Sequence, residues 1–198
     1  MPRREKPQTW TERRVPASCS WTSRPPATRR TSSTRWRPIE IGAVLVDGGT
    51  LGIIDEYQGF VRPLVHPRLS DFCIGLTGIR QSTVDAAPPF AEAAARFGDW
   101  LHHRSAGCSR PLAWWGSWGR YDRLQLERDC ARTGTPLPVR APHINVKEEF
   151  AAWRGVKVQG LAKAVDRVGL RFEGQLHCGL DDARMVARVL QRMLADAP

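Results

Sequence analysis

One segment constrains the fold more than any other, the apolar run IEIGAVLV at residues 39–46. Its length and its β-branched residues predict a buried strand. Asp47 and two glycines end the run, and residues 53–62 predict a second strand. A hairpin turn would join the two, so we expect an antiparallel pair of strands early in the folded part of the chain.

Helical spacing follows these strands. Phe90, Ala94, Phe97 and Leu101 recur at the period of an α-helix. We expect a loop over residues 63–71, a short strand over 111–116 that leads into a tight glycine turn, and helices near 122–132, 160–168 and 181–194. Strands followed by mixed helices predict an α/β domain with a mixed sheet.

Composition excludes several classes of protein. A chain of 198 residues with 41% hydrophobic residues suits one domain of ordinary size. No apolar run approaches the roughly 18 residues of a membrane span, so we expect no membrane partner. The N-terminus lacks the apolar region of a secretory signal. No CxxC pair occurs, which argues against a zinc site and a disulfide framework and favours a reducing, cytoplasmic location for the five cysteines: Cys19, Cys73, Cys108, Cys130 and Cys178.

The net charge of +10 lies almost entirely in one segment. Residues 1–38 hold ten Lys and Arg against two acids, whereas residues 39–198 hold twenty against eighteen. The first segment is rich in Arg, Ser, Thr and Pro without a helical or strand period, so we expect it to be disordered and separate from the domain over 39–198. A basic, acid-poor leader is also typical of an organelle transit peptide, although its Pro and Trp residues disfavour an amphipathic helix.

The segment HCGLDDA at residues 177–183 is the strongest candidate for catalysis. It places His177 five residues before Asp182, at the start of the last predicted helix. If Asp182 binds a divalent metal, His177 can act as general base on a metal-bound water. In the structural alternative, Asp181 caps the helix, Asp182 is a first-turn charge and His177 is a loop residue. Spacing alone favours this alternative.

Two further stretches are candidates. Asp122 follows a predicted strand and a glycine turn, where either a second carboxylate ligand or a helix-capping acid fits. Two acids are too few to hold a pair of metal ions. Leu76 and Thr77 lie in a predicted loop that suits contact with a base or a sugar, or forms a simple helix-start turn. We expect the remaining histidines and two of the thiols to be structural or at the surface: His66, His102, His103, His143, Cys73 and Cys178.

Together these stretches resemble one family, the DEDDh 3′–5′ exonucleases. The family's motif order is matched by IEIGAV at 39–44, FVRP at 60–63, HP at 66–67, LTGI at 76–79, WGRYD at 118–122 and HCGLDDA at 177–183. The branch it resembles is the enhanced-RNAi (Eri-1) type, with bacterial relatives such as the KapD group. The resemblance implies a ribonuclease H-like fold, with a mixed, roughly five-stranded sheet flanked by helices.

In that family, four acids hold two Mg²⁺ or Mn²⁺ ions and a histidine activates the attacking water. The resemblance therefore implies that Asp122 and Asp182 are metal ligands, that His177 is the general base, and that Leu76 and Thr77 hold the terminal nucleotide. The implied partner is the 3′ end of RNA or single-stranded DNA. Two other readings stay open: an inactive domain of this fold that binds nucleic acid or a protein, and a basic leader that binds RNA electrostatically.

One motif of the family is missing. The family places Asp-x-Glu after a strand just upstream of the EIGAV strand, but residues 1–38 contain no aspartate. Neither Glu5 nor Glu12 has a neighbouring acid. Half of the implied metal-binding carboxylates are absent, so we expect metal affinity and turnover to be severely impaired in the chain as written.

A shifted reading frame over residues 21–38 would account for the missing motif. Codons built from the third base of each codon and the first two of the next can encode DLEATCDE(A/E)DFIDEMET, which runs directly into Ile39. The first Asp is forced, because the Trp codon ends in G and Thr codons begin with AC; several later codons are free choices. The same shift lets residues 18–21 become apolar, as a first strand requires. The alternative is that residues 1–38 are a real leader.

Overall fold

The computed structural model describes residues 18–21, 37–106 and 112–195. Within them lie five strands: β1 (Ser18–Trp21), β2 (Glu40–Val46), β3 (Ile53–Phe60), β4 (Trp115–Ser117) and β5 (His143–Asn145). The same residues form seven helices: α1 (Asp71–Thr77), α2 (Gln81–Asp85), α3 (Phe90–Ala106), α4 (Tyr121–Thr133), α5 (Val146–Arg154), α6 (Leu161–Arg167) and α7 (Gly179–Ala195).

The strands form one mixed sheet in the order β3-β2-β1-β4-β5. Strand β2 runs antiparallel to both β1 and β3, whereas β4 runs parallel to both β1 and β5. Helices α3 and α4 contribute to the core on one face, and α5, α6 and α7 share a core on the other. The expected mixed α/β architecture is therefore confirmed.

Strand β2 is buried along its whole length because helices cover it on both faces. Ile41, Ala43 and Leu45 pack in the core that contains α3 and α4. Val44 and Val46, which alternate with them, pack against α7. The side-chain period of two residues thus directs one strand into two separate cores, which explains why its sequence is a nearly continuous apolar run.

Strand β2 and helix α7 meet at a pair of glycines. A Cβ atom on Gly42 would lie 2.1 Å from the carbonyl carbon of Gly179 and 2.2 Å from the backbone nitrogen of Leu180. No side chain fits in that space, since real Cβ contacts are not found below 3.0 Å. The first turn of α7 therefore packs on the β2 backbone itself.

Strand β1 occupies the centre of the sheet, within the segment expected to be disordered. It pairs antiparallel with β2, from Ser18 opposite Val44 to Trp21 opposite Ile41, and parallel with β4. The segment as written is expected to be disordered, whereas these four residues form a strand. Most of the remaining segment lies outside the described residues, so its proposed shift of reading frame stays a prediction.

Other elements differ from the sequence expectations in their positions. Gly116 lies inside β4, so the glycine turn before α4 is formed by Gly119 instead. The φ of Gly119 is 125°, a conformation that favours glycine. A Cβ on Gly116 would lie 2.7 Å from the Val146 side chain, so a glycine is needed there for packing. Helix α7 begins two residues earlier than expected, and helices α2 and α5 were not anticipated. Among the residues that the structure describes, no helix is both long and apolar enough to cross a membrane.

Replacing Gly42 with alanine should destabilise the fold by about 2 kcal/mol or more, because α7 must move away from β2. Urea unfolding followed by tryptophan fluorescence measures the effect. Gly75→Ala in α1 is the matched control: its Cβ meets no atom within 4 Å, and alanine is the better helix former, so stability should hold or rise by up to about 1 kcal/mol. Equal stability of the two variants would contradict the close contact.

Candidate active site

The elements that carry the three candidate catalytic side chains begin toward the same edge of the sheet. Because β1 and β4 are parallel, their last residues, Trp21 and Ser117, lie toward the same edge. Asp122 lies in the first turn of α4, shortly after the end of β4. Strand β2 is antiparallel to β1, so its first residue, Glu40, lies at this edge and bonds to Gly179 at the start of α7.

His177 and Asp182 are tied together at the start of α7. The backbone N–H of His177 donates to Asp182 Oδ1 at 3.2 Å. His177 has a φ of 74°, a left-handed conformation that is uncommon for residues other than glycine. Both side chains are half-buried. The five-residue spacing in the sequence is therefore a direct contact in the fold.

The structure separates the roles of the two adjacent acids. One Asp181 oxygen accepts the Gln175 backbone N–H at 2.8 Å, and the other accepts Arg184 Nη1 at 2.8 Å. Arg184 also forms two hydrogen bonds with the Glu56 carboxylate of β3. Asp181 is therefore a structural residue, and it is not a helix cap because α7 begins at Gly179.

Leu76 and Thr77 lie in the last turn of α1, so the expected loop at this position is wrong. The buried Thr77 hydroxyl donates to the Cys73 carbonyl at 2.8 Å and accepts the Ile79 N–H at 3.2 Å. The Leu76 carbonyl accepts Gln175 Nε2 at 3.3 Å. Gln175 therefore connects the end of α1 to the loop that carries His177.

A hydrogen-bonded turn leads from β4 to Asp122. The Ser117 hydroxyl donates to the Gly119 carbonyl at 2.9 Å and lies 2.8 Å from His143 Nε2. Since the hydroxyl proton is used by Gly119, the His143 ring is the donor to Ser117. His143, whose sequence shows no partner pattern, is thus a half-buried structural residue that braces this turn. Asp122 itself is buried, with 7% of its surface exposed.

One functional candidate was missed in the sequence, the fully buried Glu40. Its carboxylate accepts the backbone N–H groups of Gly179 at 2.7 Å and Leu180 at 3.4 Å, and Gln58 Nε2 at 2.8 Å. The Cys178 thiol lies 3.6 Å from the same carboxylate. An acid inside an apolar strand was the available signal, because a buried charge requires partners.

The described thiols are not candidate nucleophiles. Burial raises the pKa of Cys178 to about 11, helped by the nearby charges of Glu40 and Asp181. Burial likewise raises the pKa of Cys130 to about 11 and raises that of Cys73. All three stay protonated at neutral pH, so they do not supply the thiolate that nucleophilic catalysis requires.

The described residues do not by themselves fit a pair of metal ions. Within residues 18–21, 37–106 and 112–195, no group of three His, Cys, Asp or Glu side chains is placed to hold a metal. Asp122 and Asp182 are the two carboxylates that the family motifs assign to this role. Mg²⁺ is usually held by one or two carboxylates, with waters and substrate phosphates completing its six oxygen ligands, so two acids are too few for a pair of ions.

Comparison with known proteins decides the family. The family model described as Exonuclease (RNase_T) matches residues 30–190. The chain belongs to this exonuclease family. A human relative, 3′-5′ exoribonuclease 1, is 35% identical over 162 residues, which cover 80% of this chain and 46% of the relative. The chain thus spans about half the length of that relative.

Solved exonuclease structures share the fold. The nuclease domain of 3′hExo, a DEDDh family member with bound rAMP, superposes with a TM-score of 0.82 at 28% identity, over 92% of this chain and 93% of that one. A 3′-exonuclease studied for 3′-end specific recognition of histone mRNA stem-loop gives a TM-score of 0.82 at 27% identity, over 92% and 83%. The DEDDh resemblance and the ribonuclease H-like fold are therefore confirmed.

His143 should make stability depend on pH. Burial, together with Arg123 and Arg120, lowers its pKa from about 6.5 to about 4. The unfolded chain therefore binds a proton more readily than the folded one. The neutral His143 ring therefore contributes to the free energy of unfolding fully above pH 6.5. This contribution is lost as pH falls toward 4, by at most about 3 kcal/mol. Urea unfolding at several pH values should show this loss, and His143→Gln should reduce it. An NMR titration of the His143 ring near 6.5 in the folded protein would contradict the prediction.

Proposed function

We propose that this chain is the nuclease domain of a 3′–5′ exonuclease, which hydrolyses phosphodiester bonds from a free 3′ end and releases nucleoside monophosphates. The observation that supports the proposal is that the start of α4, which carries Asp122, and the start of α7, beside which His177 and Asp182 are hydrogen-bonded, both lie toward the edge of the sheet where β1 ends. A member of the DEDDh exonuclease family is expected to carry its catalytic acids and histidine at that edge.

RNA is the favoured substrate in this proposal, with single-stranded DNA as the other choice. The human relative is named an exoribonuclease, and one solved relative recognises the 3′ end of a histone mRNA stem-loop. We place the activity in a reducing compartment such as the cytoplasm, because Cys73, Cys130 and Cys178 are all free thiols.

Each candidate residue has a distinct proposed role. Asp122 and Asp182 would supply two of the carboxylates for Mg²⁺ or Mn²⁺, which in this family stabilises charge on the reacting phosphate. His177 would accept the proton of the attacking water. Leu76 and Thr77, on the last turn of α1, would contact the terminal nucleotide. Gln175 supports this grouping, since it bonds both to the Leu76 carbonyl and to Asp181 beside Asp182.

The chain as written should be impaired, and a shifted reading frame gives the most economical reason. Strand β1 ends at Trp21, on the edge of the sheet toward which α4 and the start of α7 also lie. The family's Asp-x-Glu follows this strand, and the shifted frame places it there. The observed strand at Ser18–Trp21 supports the hypothesis, because it supplies the missing first strand at the expected place in the sheet.

A second candidate function is an exonuclease-like domain that binds nucleic acid or a protein without cutting. The absence of aspartate from residues 1–38 favours this function. If these residues are a real leader, the protein lacks the Asp-x-Glu carboxylates that the family places before β2. In this case the fold and the α7 contacts persist while the metal site does not.

An oligonucleotide assay separates the two functions. With a 5′-labelled single-stranded RNA and Mn²⁺, we expect no cleavage by the chain as written, because half of the metal ligands are missing. The chain with its upstream frame restored should produce a ladder that shortens from the 3′ end. Binding without cleavage by the restored chain supports the inactive domain, and turnover by the chain as written would contradict the assigned metal site.

The control for this assay is His177→Ala in the restored chain. Loss of the general base should reduce turnover by about a hundredfold or more, while the melting temperature and Mn²⁺ binding change little. A variant that keeps full activity would exclude His177 from proton transfer.

The nucleotide sequence tests the frame hypothesis directly. We expect an apolar run followed by Asp-x-Glu in the shifted frame before Ile39, with one insertion or deletion upstream of Trp21 and a compensating one near Pro38. Sequencing of the genomic segment gives the answer. A shifted frame without Asp-x-Glu would leave residues 1–38 as a real leader.

A further inference from the structure

We propose that Glu40 is a positioning residue that fixes the first turn of α7, and through it the geometry of His177 and Asp182. The proposal deepens the proposed function, since it concerns how that site is built. Glu40 belongs to neither the metal set nor the proton-transfer group assigned above.

The first argument is the burial of the Glu40 charge. The side chain is completely inaccessible to solvent, which is costly for a carboxylate unless hydrogen bonds compensate it. The partners are concentrated at one point: Gly179 N–H at 2.7 Å and Leu180 N–H at 3.4 Å, both from the first turn of α7. Gln58 Nε2 from β3 at 2.8 Å and the Cys178 thiol at 3.6 Å are the other two partners.

The second argument is that α7 has no suitable residue of its own to bind these donors. The first N–H groups of a helix have no acceptor within the helix and are usually bound by a Ser, Thr, Asn or Asp that precedes it. The residue before α7 is Cys178, and the nearest acid, Asp181, accepts from Gln175 and Arg184 instead. Strand β2 therefore supplies the cap, and its negative charge also suits the positive end of the helix dipole.

The third argument is that Glu40 acts together with Gly42, two residues along the same face of β2. Gly42 lets the helix backbone approach closely, and a Cβ on Gly179 would in turn lie 3.0 Å from the Glu40 carboxyl carbon. Gly42 thus permits the close approach of α7, and Glu40 holds the helix there by hydrogen bonds. His177 lies two residues before this anchor and Asp182 three residues after it, so a shift of the turn moves both groups.

The wild-type chain already offers a test, because first-turn amides are otherwise unprotected. Hydrogen exchange measured by NMR should show Gly179 exchanging at least about tenfold more slowly than Ala162 and Lys163 in the first turn of α6, whose N-cap Gly160 has no side chain to accept a hydrogen bond. Exchange at equal rates would overturn the proposal without any variant.

Two variants test the position of the turn. Glu40→Gln keeps the size but sets an amide N–H₂ among donors, and Glu40→Asp keeps the charge but is one methylene shorter. Each should speed exchange at Gly179 and Leu180 by at least about tenfold relative to the rest of the chain, and shift the His177 ring resonances. If Glu40→Gln does not fold, Glu40→Asp and the wild-type measurement decide.

Asp129→Asn is the matched control. Asp129 is an equally buried carboxylate, 1% exposed, held by Gln125 and Arg132 on α4. Its loss should lower the free energy of unfolding and leave the His177 resonances and the α7 first turn in place. If the Glu40 variants instead behave like Asp129→Asn, with uniform acceleration of exchange and no local shift, Glu40 is merely a stabilising residue and the proposal is wrong.

Kinetics complete the test in whichever form of the chain hydrolyses the oligonucleotide. Glu40→Gln should lower kcat at least tenfold and change KM for the oligonucleotide less than threefold, and Glu40→Asp should recover part of kcat. A chain that never cleaves contradicts the proposed function alone, because the exchange measurements still decide the role of Glu40. Local loosening of α7 with an unchanged kcat in an active chain would overturn the positioning role.

Discussion

The contact between β2 and the first turn of α7 determines how the rest of the molecule is arranged. A glycine in the strand lets the helix backbone approach to a distance that no side chain allows, and a buried carboxylate two residues away accepts N–H groups of the same turn that have no acceptor within the helix. Because α3 and α4 also bury the other face of β2, both layers of helices pack against this one strand. The start of β2 also lies at the edge of the sheet toward which the start of α7, with His177 and Asp182, is placed.

Local patterns made much of the fold predictable. The buried strand over β2, the hairpin to β3, and the helices α4, α6 and α7 follow from apolar spacing and from glycines at their ends. Strand β1 was not predictable, because Ser18, Cys19 and Ser20 carry no apolar pattern and the strand exists through its pairing with β2 and β4. The last turn of α1 was missed for a different reason: Thr77 ends a helix of only seven residues, which Ser70 caps at its other end.

The candidate site was predictable in proportion to how local its contacts are. His177 and Asp182 are five residues apart, so a motif in one segment carries their contact. The role of Glu40 depends on partners 139 and 140 residues away, which no pattern near residue 40 contains. The sequence distinguished Asp182 from Asp181 through the family motif, and the contacts of Arg184 and Gln175 with Asp181 add the structural role of that second acid.

Strand β1 joins the antiparallel half of the sheet to its parallel half through backbone hydrogen bonds. Peptide groups are the same for nearly every amino acid, so these backbone hydrogen bonds can form with different residues in the strand, although the side chains still have to pack. The proposed frame shift would therefore leave this backbone ladder in place while it removes the proposed metal ligands. Under that proposal, the segment that joins the sheet and the segment that would bind metal are consecutive, so the presence of the strand would not show whether the metal ligands are encoded.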